Sequence, residues 1–133
     1  APVRPNARSC VLRITSAQGV AALLVGDIER REERALLARA APLAAQWLLV
    51  PHHGSQTSSS AEFIAAVAPR WALVQAGYRN RFGHPAAPVL ARYQAAGVEL
   101  VASPACGAAL WSSAQPQQLD CERDSHARYW QHR

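Results

Sequence analysis

The sequence alternates short apolar segments with segments of helical periodicity, and this alternation restricts the folds open to it. Four apolar runs, VAALLVG, WLLVP, WALVQAG and VELVAS, have the length of buried strands and begin at residues 20, 47, 71 and 98. The intervening stretches, 29–40, 58–68 and 85–96, space their apolar residues as amphipathic helices do. Strands alternating with helices predict an α/β fold.

The segments at the two ends extend this prediction. SCVLRIT, followed by the turn SAQG, predicts a strand that forms a hairpin with VAALLVG, so the sheet is expected to be mixed. GAALWSS predicts a further strand, and from about Ala114 the chain becomes a polar tail with a short final helix that ends HARYWQHR. No repeat or linker interrupts residues 1–133, which we interpret as a single domain.

Composition narrows the functional classes. Half of the 133 residues are hydrophobic and 17% are charged, which argues against disorder. The net charge of +5 favours an acidic partner, with nucleic acid the first candidate. The arginines are scattered, however, so an ordinary basic surface remains an alternative. No apolar run approaches the roughly 20 residues of a membrane span. The start lacks both a Met and a signal-peptide region, so we expect a fragment or a processed product.

The three cysteines lack the C-x-x-C spacing of a zinc ribbon. Cys10 lies in an apolar run and is expected to be a buried small hydrophobic residue. Cys106 and Cys121 flank the last hairpin. The sequence is compatible with a disulfide between them in an oxidising compartment and equally with two free thiols.

Chemically capable side chains follow three of the apolar runs. Asp27 comes after VAALLVG, His52 and His53 come after LLVP, and His84 lies in the loop after WALVQAG. Because functional groups gather at the carboxyl ends of parallel strands, we expect these four residues at one edge of the sheet. Asp27 suits a divalent metal, or alternatively the N-cap of the helix that follows.

The adjacent histidines raise a geometric question. Neighbouring residues on an extended chain point in opposite directions, so His52 and His53 reach one metal only if the chain turns between them. One of them is therefore expected to bind metal, while the other orients it, donates a proton or contacts substrate. Two ordinary surface histidines are the alternative. A serine hydrolase with Ser55 as nucleophile is disfavoured, because the G-x-S-x-G pattern is missing.

The loop YRNRFGHP combines groups that suit a nucleic acid. The guanidinium groups of Arg79 and Arg81 suit phosphate, and the rings of Tyr78 and Phe82 suit stacked bases. An ordinary turn with a basic pair is the alternative. Taken with the metal candidates, the loop predicts metal-assisted attack on a phosphodiester.

Four motifs in this order resemble the metallo-β-lactamase-like domain at the C-terminus of the ComEC family, the DNA-uptake channel proteins of bacterial competence. They are NARSCVLRI, LLVGDIE, LLVPHHGSQTSS and QAGYRNRFGHP, and the resemblance runs from about Asn6 to Gly107. It implies half of an αββα sandwich and, in the complete domain, a site for divalent Zn or Mn. Asp27 would bridge two metals, and His52 or His53 would be a further ligand.

The resemblance also implies roles for the remaining candidates. His84 and Asn80 would be catalytic residues near the phosphate, and Arg79, Arg81 and Ser55 would contact it. The domain would be a soluble, periplasmic part of a cytoplasmic-membrane protein. Its partners would be DNA and the membrane-channel portion of the same chain, with no small-molecule cofactor. The reaction would be hydrolysis of the DNA strand that is not imported.

The sequence departs from the family pattern at one point. The fold's H-x-H-x-D-H motif does not occur in it, and the motifs that are present belong to the second half of the domain. We therefore expect a fragment that by itself holds no bound metal and is inactive. The alternative function is a non-catalytic module of the same DNA-uptake protein that binds nucleic acid or another partner.

Overall fold

The computed structural model describes residues 2–130. In that range the strands are β1 (Leu12–Thr15), β2 (Ala21–Leu24), β3 (Trp47–Leu49), β4 (Trp71–Val74), β5 (Glu99–Ala102), β6 (Ala109–Trp111) and β7 (Leu119–Cys121). The helices are α1 (Arg30–Ala38), α2 (Ala61–Val67), α3 (Ala87–Ala95), α4 (Ser103–Cys106) and α5 (Glu122–Ser125). Short 3-10 turns cover Pro5–Arg8 and Pro51–Gly54. No helix in this range has the length and apolar character that crossing a membrane requires.

The main sheet has five strands in the order β1-β2-β3-β4-β5. β1 pairs antiparallel with β2, and the other neighbours pair parallel. α1, α2 and α3 connect successive parallel strands. Right-handed crossovers that all step the same way place these helices on one face of the sheet. The structure thus confirms the mixed α/β architecture and brings the carboxyl ends of β2, β3 and β4 to one edge.

The core lies between the sheet and these helices. On the covered face Leu23, Leu48 and Ala72 are fully buried, and they belong to one cluster with residues of α2 and α3 such as Phe63 and Tyr93. Burying large side chains of this kind contributes about 1.5–3 kcal/mol each, before the entropy cost of ordering them.

The opposite face of the sheet, here called the open face, is less covered. The strand registers place on it Leu12, Ile14, Ala22, Leu24, Trp47, Leu49, Trp71, Leu73 and Val101. Leu12 and Ile14 are both 54% exposed. The β6–β7 hairpin contacts one part of this face, where the ring of Trp111 stacks on Trp47 at 6.3 Å between centroids. The Pro116 carbonyl accepts hydrogen bonds from the indoles of Trp71 and Trp111.

Two helix ends have well-defined caps. Ser60 caps α2, and its hydroxyl accepts a hydrogen bond from the N–H of Phe63 at 3.3 Å. Gly97, at φ +71°, follows the C-cap of α3. In a parallel crossover a helix begins near the edge where the preceding strand ends, so the Ser60 cap lies at the same sheet edge as the end of β3.

Other local predictions are wrong or incomplete. The strand predicted over WLLVP ends at Leu49, and Pro51 begins a tight turn instead. The expected polar tail contains β7 and α5, while the last part of the predicted final helix, residues 131–133, lies outside the described range. Cys10 is exposed, because it precedes β1 rather than facing the core.

Cys106 and Cys121 form a disulfide that joins α4 to β7. The pairing that the sequence left open is therefore present. It adds a covalent attachment to the hairpin, a two-stranded element that would be marginal alone.

We predict that replacing Cys106 and Cys121 together by serine lowers the free energy of unfolding by about 3 kcal/mol, the effect expected for a cross-link of this span. Urea denaturation followed by circular dichroism measures it. Cys10→Ser is the matched control, because it removes an exposed thiol and is expected to change stability by less than about 0.5 kcal/mol. A double variant as stable as the wild type would contradict the prediction.

Candidate functional site

The turn after β3 has an unusual backbone. His52 (φ 47°, ψ 45°) and His53 (φ 55°, ψ 21°) both adopt the left-handed conformation. Each such non-glycine residue costs on the order of 1–3 kcal/mol, and residues of this kind cluster at functional sites. The turn brings the two imidazole rings to 6.3 Å between centroids. The chain thus turns between the histidines, as a shared site requires.

Backbone hydrogen bonds hold this turn against its strain. The N–H of His52 donates to the Gly26 carbonyl at 3.0 Å, which ties the turn to the end of β2. The N–H of Ser55 donates back to the His52 carbonyl at 2.9 Å. The buried Ser58 hydroxyl lies 2.9 Å from the carbonyls of both Pro51 and Ser55. These bonds explain why a polar serine run follows the two histidines.

A buried carboxylate fixes the rest of the serine run. Glu33 of α1 is fully buried, and its carboxylate accepts hydrogen bonds from the backbone N–H groups of Ser59 and Ser60. The Ser59 hydroxyl lies 3.1 Å from that of Tyr93, whose pKa is raised by burial. This polar network anchors the histidine turn to both α1 and α3.

His53 has two well-defined polar neighbours. Its Nδ1 lies 2.8 Å from the Gln75 carbonyl oxygen. Because a carbonyl can only accept, Nδ1 carries the proton and donates it. Nε2 then lies 3.3 Å from Oδ1 of Asp27. In a neutral imidazole this nitrogen is an acceptor, so it faces a carboxylate oxygen with no proton between them. This nitrogen is therefore available to a proton or to a metal cation.

A second carboxylate faces His52. Glu29 Oε1 lies 3.3 Å from His52 Nδ1 and accepts hydrogen bonds from the Asn6 amide and the Thr57 hydroxyl, both at 3.3 Å. Glu29 is also the N-cap residue of α1. The alternative that Asp27 caps this helix is therefore wrong. The sequence analysis missed Glu29, although it stands in the motif LLVGDIE two residues after Asp27.

His84 is the third imidazole at this edge. Its ring centroid lies 6.1 Å from that of His52. Its Nδ1 is buried and has no hydrogen-bond partner among residues 2–130. Burial, followed by the charges of His52 and His53, lowers the pKa of His84. The neutral imidazole is thus favoured.

Asn80 holds His84 in place through the backbone. Its Oδ1 accepts from the His84 N–H at 3.0 Å, and its Nδ2 donates to the carbonyls of His84 and Gly77 at 2.6 and 3.1 Å. These bonds close the loop that carries His84. What the structure shows for Asn80 is a positioning contact, and its catalytic role stays a prediction.

The three candidate phosphate contacts lie in different surroundings. Arg79 and Arg81 are exposed, with guanidinium carbons 5.3 Å from the ring centre of Tyr78 and 4.8 Å from that of Phe82. Both cations are open to a phosphate. Ser55 is 6% exposed, and its hydroxyl lies 3.0 Å from that of Thr57. Ser55 thus supports the loop, and its role toward phosphate stays a prediction.

The donor set fits a divalent metal only in part. Asp27 and His53 are 44% and 49% exposed at the side chain and supply one oxygen and one nitrogen. Two ligands of a tetrahedral zinc with bonds of about 2.0–2.1 Å lie roughly 3.3–3.4 Å apart, which matches their separation. Within residues 2–130, however, no three His, Cys, Asp or Glu side chains are grouped to hold a metal. The described residues offer a pair of ligands rather than a complete shell.

The histidine turn packs directly on the loop that carries His84. Gly54 has φ +80°, and a Cβ placed there would lie 2.6 Å from Cβ and 2.9 Å from Cα of Pro85. The Gly54 carbonyl accepts a hydrogen bond from the N–H of Ala86 at 2.9 Å. Glycine at this position therefore allows the two loops, and with them His52 and His84, to approach.

The sequence of the chain is similar to those of known competence proteins. It is 40% identical to competence protein ComA of Neisseria gonorrhoeae over 104 residues, which are 77% of this chain and 15% of ComA. It is 36% identical to ComE operon protein 3 of Bacillus subtilis over 89 residues, 67% of this chain and 11% of that protein. It is 35% identical over 129 residues to the uncharacterized protein YcaI of Escherichia coli, 96% of this chain and 17% of YcaI.

These similarities confirm the resemblance that the four motifs predicted. The chain spans less than a fifth of the length of each of these relatives. No protein-family model and no solved structure matches the sequence.

We predict that Gly54→Ala destabilises the chain more than Gly19→Ala does. The two glycines have nearly equal φ, +80° and +82°, but a Cβ at Gly19 meets nothing within 4 Å. Both variants carry the left-handed cost of about 1–2 kcal/mol, and Gly54→Ala adds an overpacking cost of about 1–3 kcal/mol. Urea denaturation of the two variants measures the difference. Equal losses of stability would show that the contact with Pro85 does not constrain the site.

Proposed function

This chain is a ComEC-like segment, and from that premise we propose that it forms part of the metal-dependent nuclease site of a protein that acts in competence and DNA uptake. The names of two relatives support a role in competence. The nuclease reaction is proposed from the site itself, which combines metal-binding groups with cations suited to phosphate.

One observation carries the metal proposal. The hydrogen bond from His53 Nδ1 to the Gln75 carbonyl leaves Nε2 facing Asp27. Histidine ligands of metals commonly donate their other ring N–H to a backbone carbonyl in this way. A carboxylate with an imidazole suits Zn or Mn. Asp27 and His53 would hold the metal, with the remaining ligands supplied by other parts of the parent chain.

Each further residue of the edge has a role that follows from its contacts. When bound, the metal would supply a Lewis acid that activates water and polarises the phosphate. Arg79 and Arg81 bind phosphate oxygens, and neutral His84 accepts or donates a hydrogen bond beside them. Asn80 fixes the backbone of His84. His52, held by Glu29, is placed to move a proton rather than to share the metal of His53.

The open face supports the proposal of an αββα sandwich. This face carries apolar residues on every strand of the sheet, and at β1 they are more than half exposed. A sheet with one apolar face covered by helices commonly buries the other against a second sheet about 10 Å away. We propose that such a sheet, in the parent chain, packs on the open face and contributes the missing metal ligands.

The disulfide supports a location outside the cytoplasm. Disulfides persist in oxidising compartments such as the bacterial periplasm and are rare in the cytosol. The bond between Cys106 and Cys121 is thus consistent with a domain that meets DNA on the outer side of the membrane, next to the channel portion of its own chain.

A non-catalytic module that binds nucleic acid is the second candidate. It is favoured by the incomplete ligand set within residues 2–130 and by the net charge of +5. On either proposal the isolated 133-residue chain is expected to cleave no DNA. Activity of the full-length parent protein separates the two.

We predict that Asp27→Asn and His53→Ala each weaken Mn²⁺ binding by the full-length parent protein at least about 10–100-fold. Replacing a residue that only hydrogen-bonds to a metal ligand already causes a loss of this size. Isothermal titration calorimetry measures the affinity, and cleavage of a labelled oligonucleotide should disappear in both variants. His126→Ala is the matched control. It removes another imidazole paired with a carboxylate, at 3.0 Å from Glu122 on α5. Undiminished Mn²⁺ affinity in both site variants would contradict the metal assignment.

We predict that Arg79→Ala and Arg81→Ala each reduce the salt dependence of DNA binding by roughly one unit of slope, because each loses one phosphate contact and the counterions it releases. Fluorescence anisotropy over a salt series, in the full-length parent protein without metal, measures the slope. Arg39→Ala is the control, since Arg39 is the C-cap of α1, at the sheet edge opposite the site. Slopes equal to the wild type in both loop variants would show that these arginines form only a basic surface.

A further inference from the structure

A pocket of about 490 Å³ adjoins the histidines on the side of β4. His53 and His84 form part of its wall, so whatever binds in it lies beside the proposed metal and phosphate positions. Its remaining lining comes from the loop that follows β4, including Ala76, Gly77 and Phe82, and from Ser103 at the start of α4. The volume falls in the range of small-molecule sites.

Phe82 is the unusual member of this lining. It is 66% exposed, although exposing so large an apolar ring is unfavourable. Its ring stacks on that of His84, with 5.7 Å between centroids and 16° between planes. The guanidinium of Arg81 lies 4.8 Å from its ring centre. This cation lies over the ring, and because Arg81 is exposed its guanidinium can move aside for a flat ligand.

The polar groups of the wall are largely engaged within the protein. The Ser103 hydroxyl bonds to both the N–H and the carbonyl of Ala76, at 3.1 and 3.0 Å. The Gln75 carbonyl accepts from His53, and the Asn80 amide closes its own loop. A ligand therefore meets small, rigid, apolar surfaces and an aromatic ring rather than a set of directed donors. This favours a flat aromatic ligand recognised by stacking.

Resting on the proposed function, we propose that this pocket binds one unpaired nucleobase of the substrate, with Phe82 as its stacking platform. A base in a duplex is stacked on both faces and cannot enter such a pocket without leaving the helix. The site is therefore specific for single-stranded or frayed DNA. Because stacking is tolerant of base identity, the pocket imposes little sequence preference. Arg81, beside the ring, binds the phosphate that leads into the pocket.

The test measures binding by the full-length parent protein in EDTA, so that no cleavage occurs. The probes are a fluorescein-labelled twelve-nucleotide oligothymidylate, an abasic oligomer with the same number of phosphates and a blunt duplex of that length. We expect the wild type to bind the oligothymidylate more tightly than the other two. Phe82→Ala should weaken oligothymidylate binding on the order of 10-fold and leave abasic binding unchanged. Phe82→Trp, which keeps a stacking ring, should stay within about 3-fold of the wild type.

Trp130→Ala is the matched control. Trp130 is an exposed aromatic residue with an arginine beside its ring, and it is not part of the pocket lining. It should leave the preference for the oligothymidylate intact. Phe82 is largely exposed, so its replacement leaves the core untouched. The comparison of oligothymidylate with abasic oligomer in the wild type also tests the pocket without any variant.

Three results would overturn the proposal: equal wild-type affinity for oligothymidylate and abasic oligomer, equal weakening of both by Phe82→Ala, or no weakening at all. A lipid surface is the other candidate for the ring. If Phe82→Ala loses binding to phosphatidylglycerol vesicles while its binding to oligothymidylate is unchanged, the ring belongs to a lipid-binding surface and the proposal is overturned as well. The nuclease proposal is judged separately, by cleavage after Mn²⁺ is added. A Phe82-dependent preference in a protein that cleaves nothing would support the pocket and reject the nuclease.

Discussion

The left-handed turn at His52 and His53 is the constraint on which the site depends. Two consecutive non-glycine residues in this conformation cost on the order of 2–6 kcal/mol together. The hydrogen bond to the Gly26 carbonyl, the buried Ser58 hydroxyl and the close packing of Gly54 on Pro85 hold it. Because the chain turns here, both rings point to one sheet edge instead of opposite faces. The serine run and the loop that carries His84 thus hold this turn in place.

The turn sorts five ionisable groups into distinct environments. His53 meets Asp27 in a pair that is about half exposed, whereas the side chains of His52 and Glu29 are only about a quarter exposed. His84 has no carboxylate partner among residues 2–130, and burial lowers its pKa. The accessible pair suits a metal, the more buried pair suits proton transfer, and the neutral ring of His84 lines the aromatic pocket. On the proposed function, this one edge of the sheet would combine groups for a metal, a phosphate and a base.

The sequence was a reliable guide where local rules decide the outcome. The order of strands and helices and the gathering of Asp27 and the histidines at one edge follow from periodicity and from parallel strands ending together. It was unreliable where tertiary contacts decide. Nothing local shows that Glu29 reaches His52 or that Cys10 is exposed before β1 begins.

The central claim is that a metal lies between Asp27 and His53, and anomalous diffraction tests it most directly. Crystals of the full-length parent protein grown with Mn²⁺ would be measured at the manganese absorption edge. The account predicts an anomalous peak within about 2.0–2.2 Å of both Asp27 Oδ1 and His53 Nε2, with Nδ1 of His53 still bonded to the Gln75 carbonyl. A Mn²⁺ peak elsewhere, with the two side chains still 3.3 Å apart and no peak between them, would contradict it.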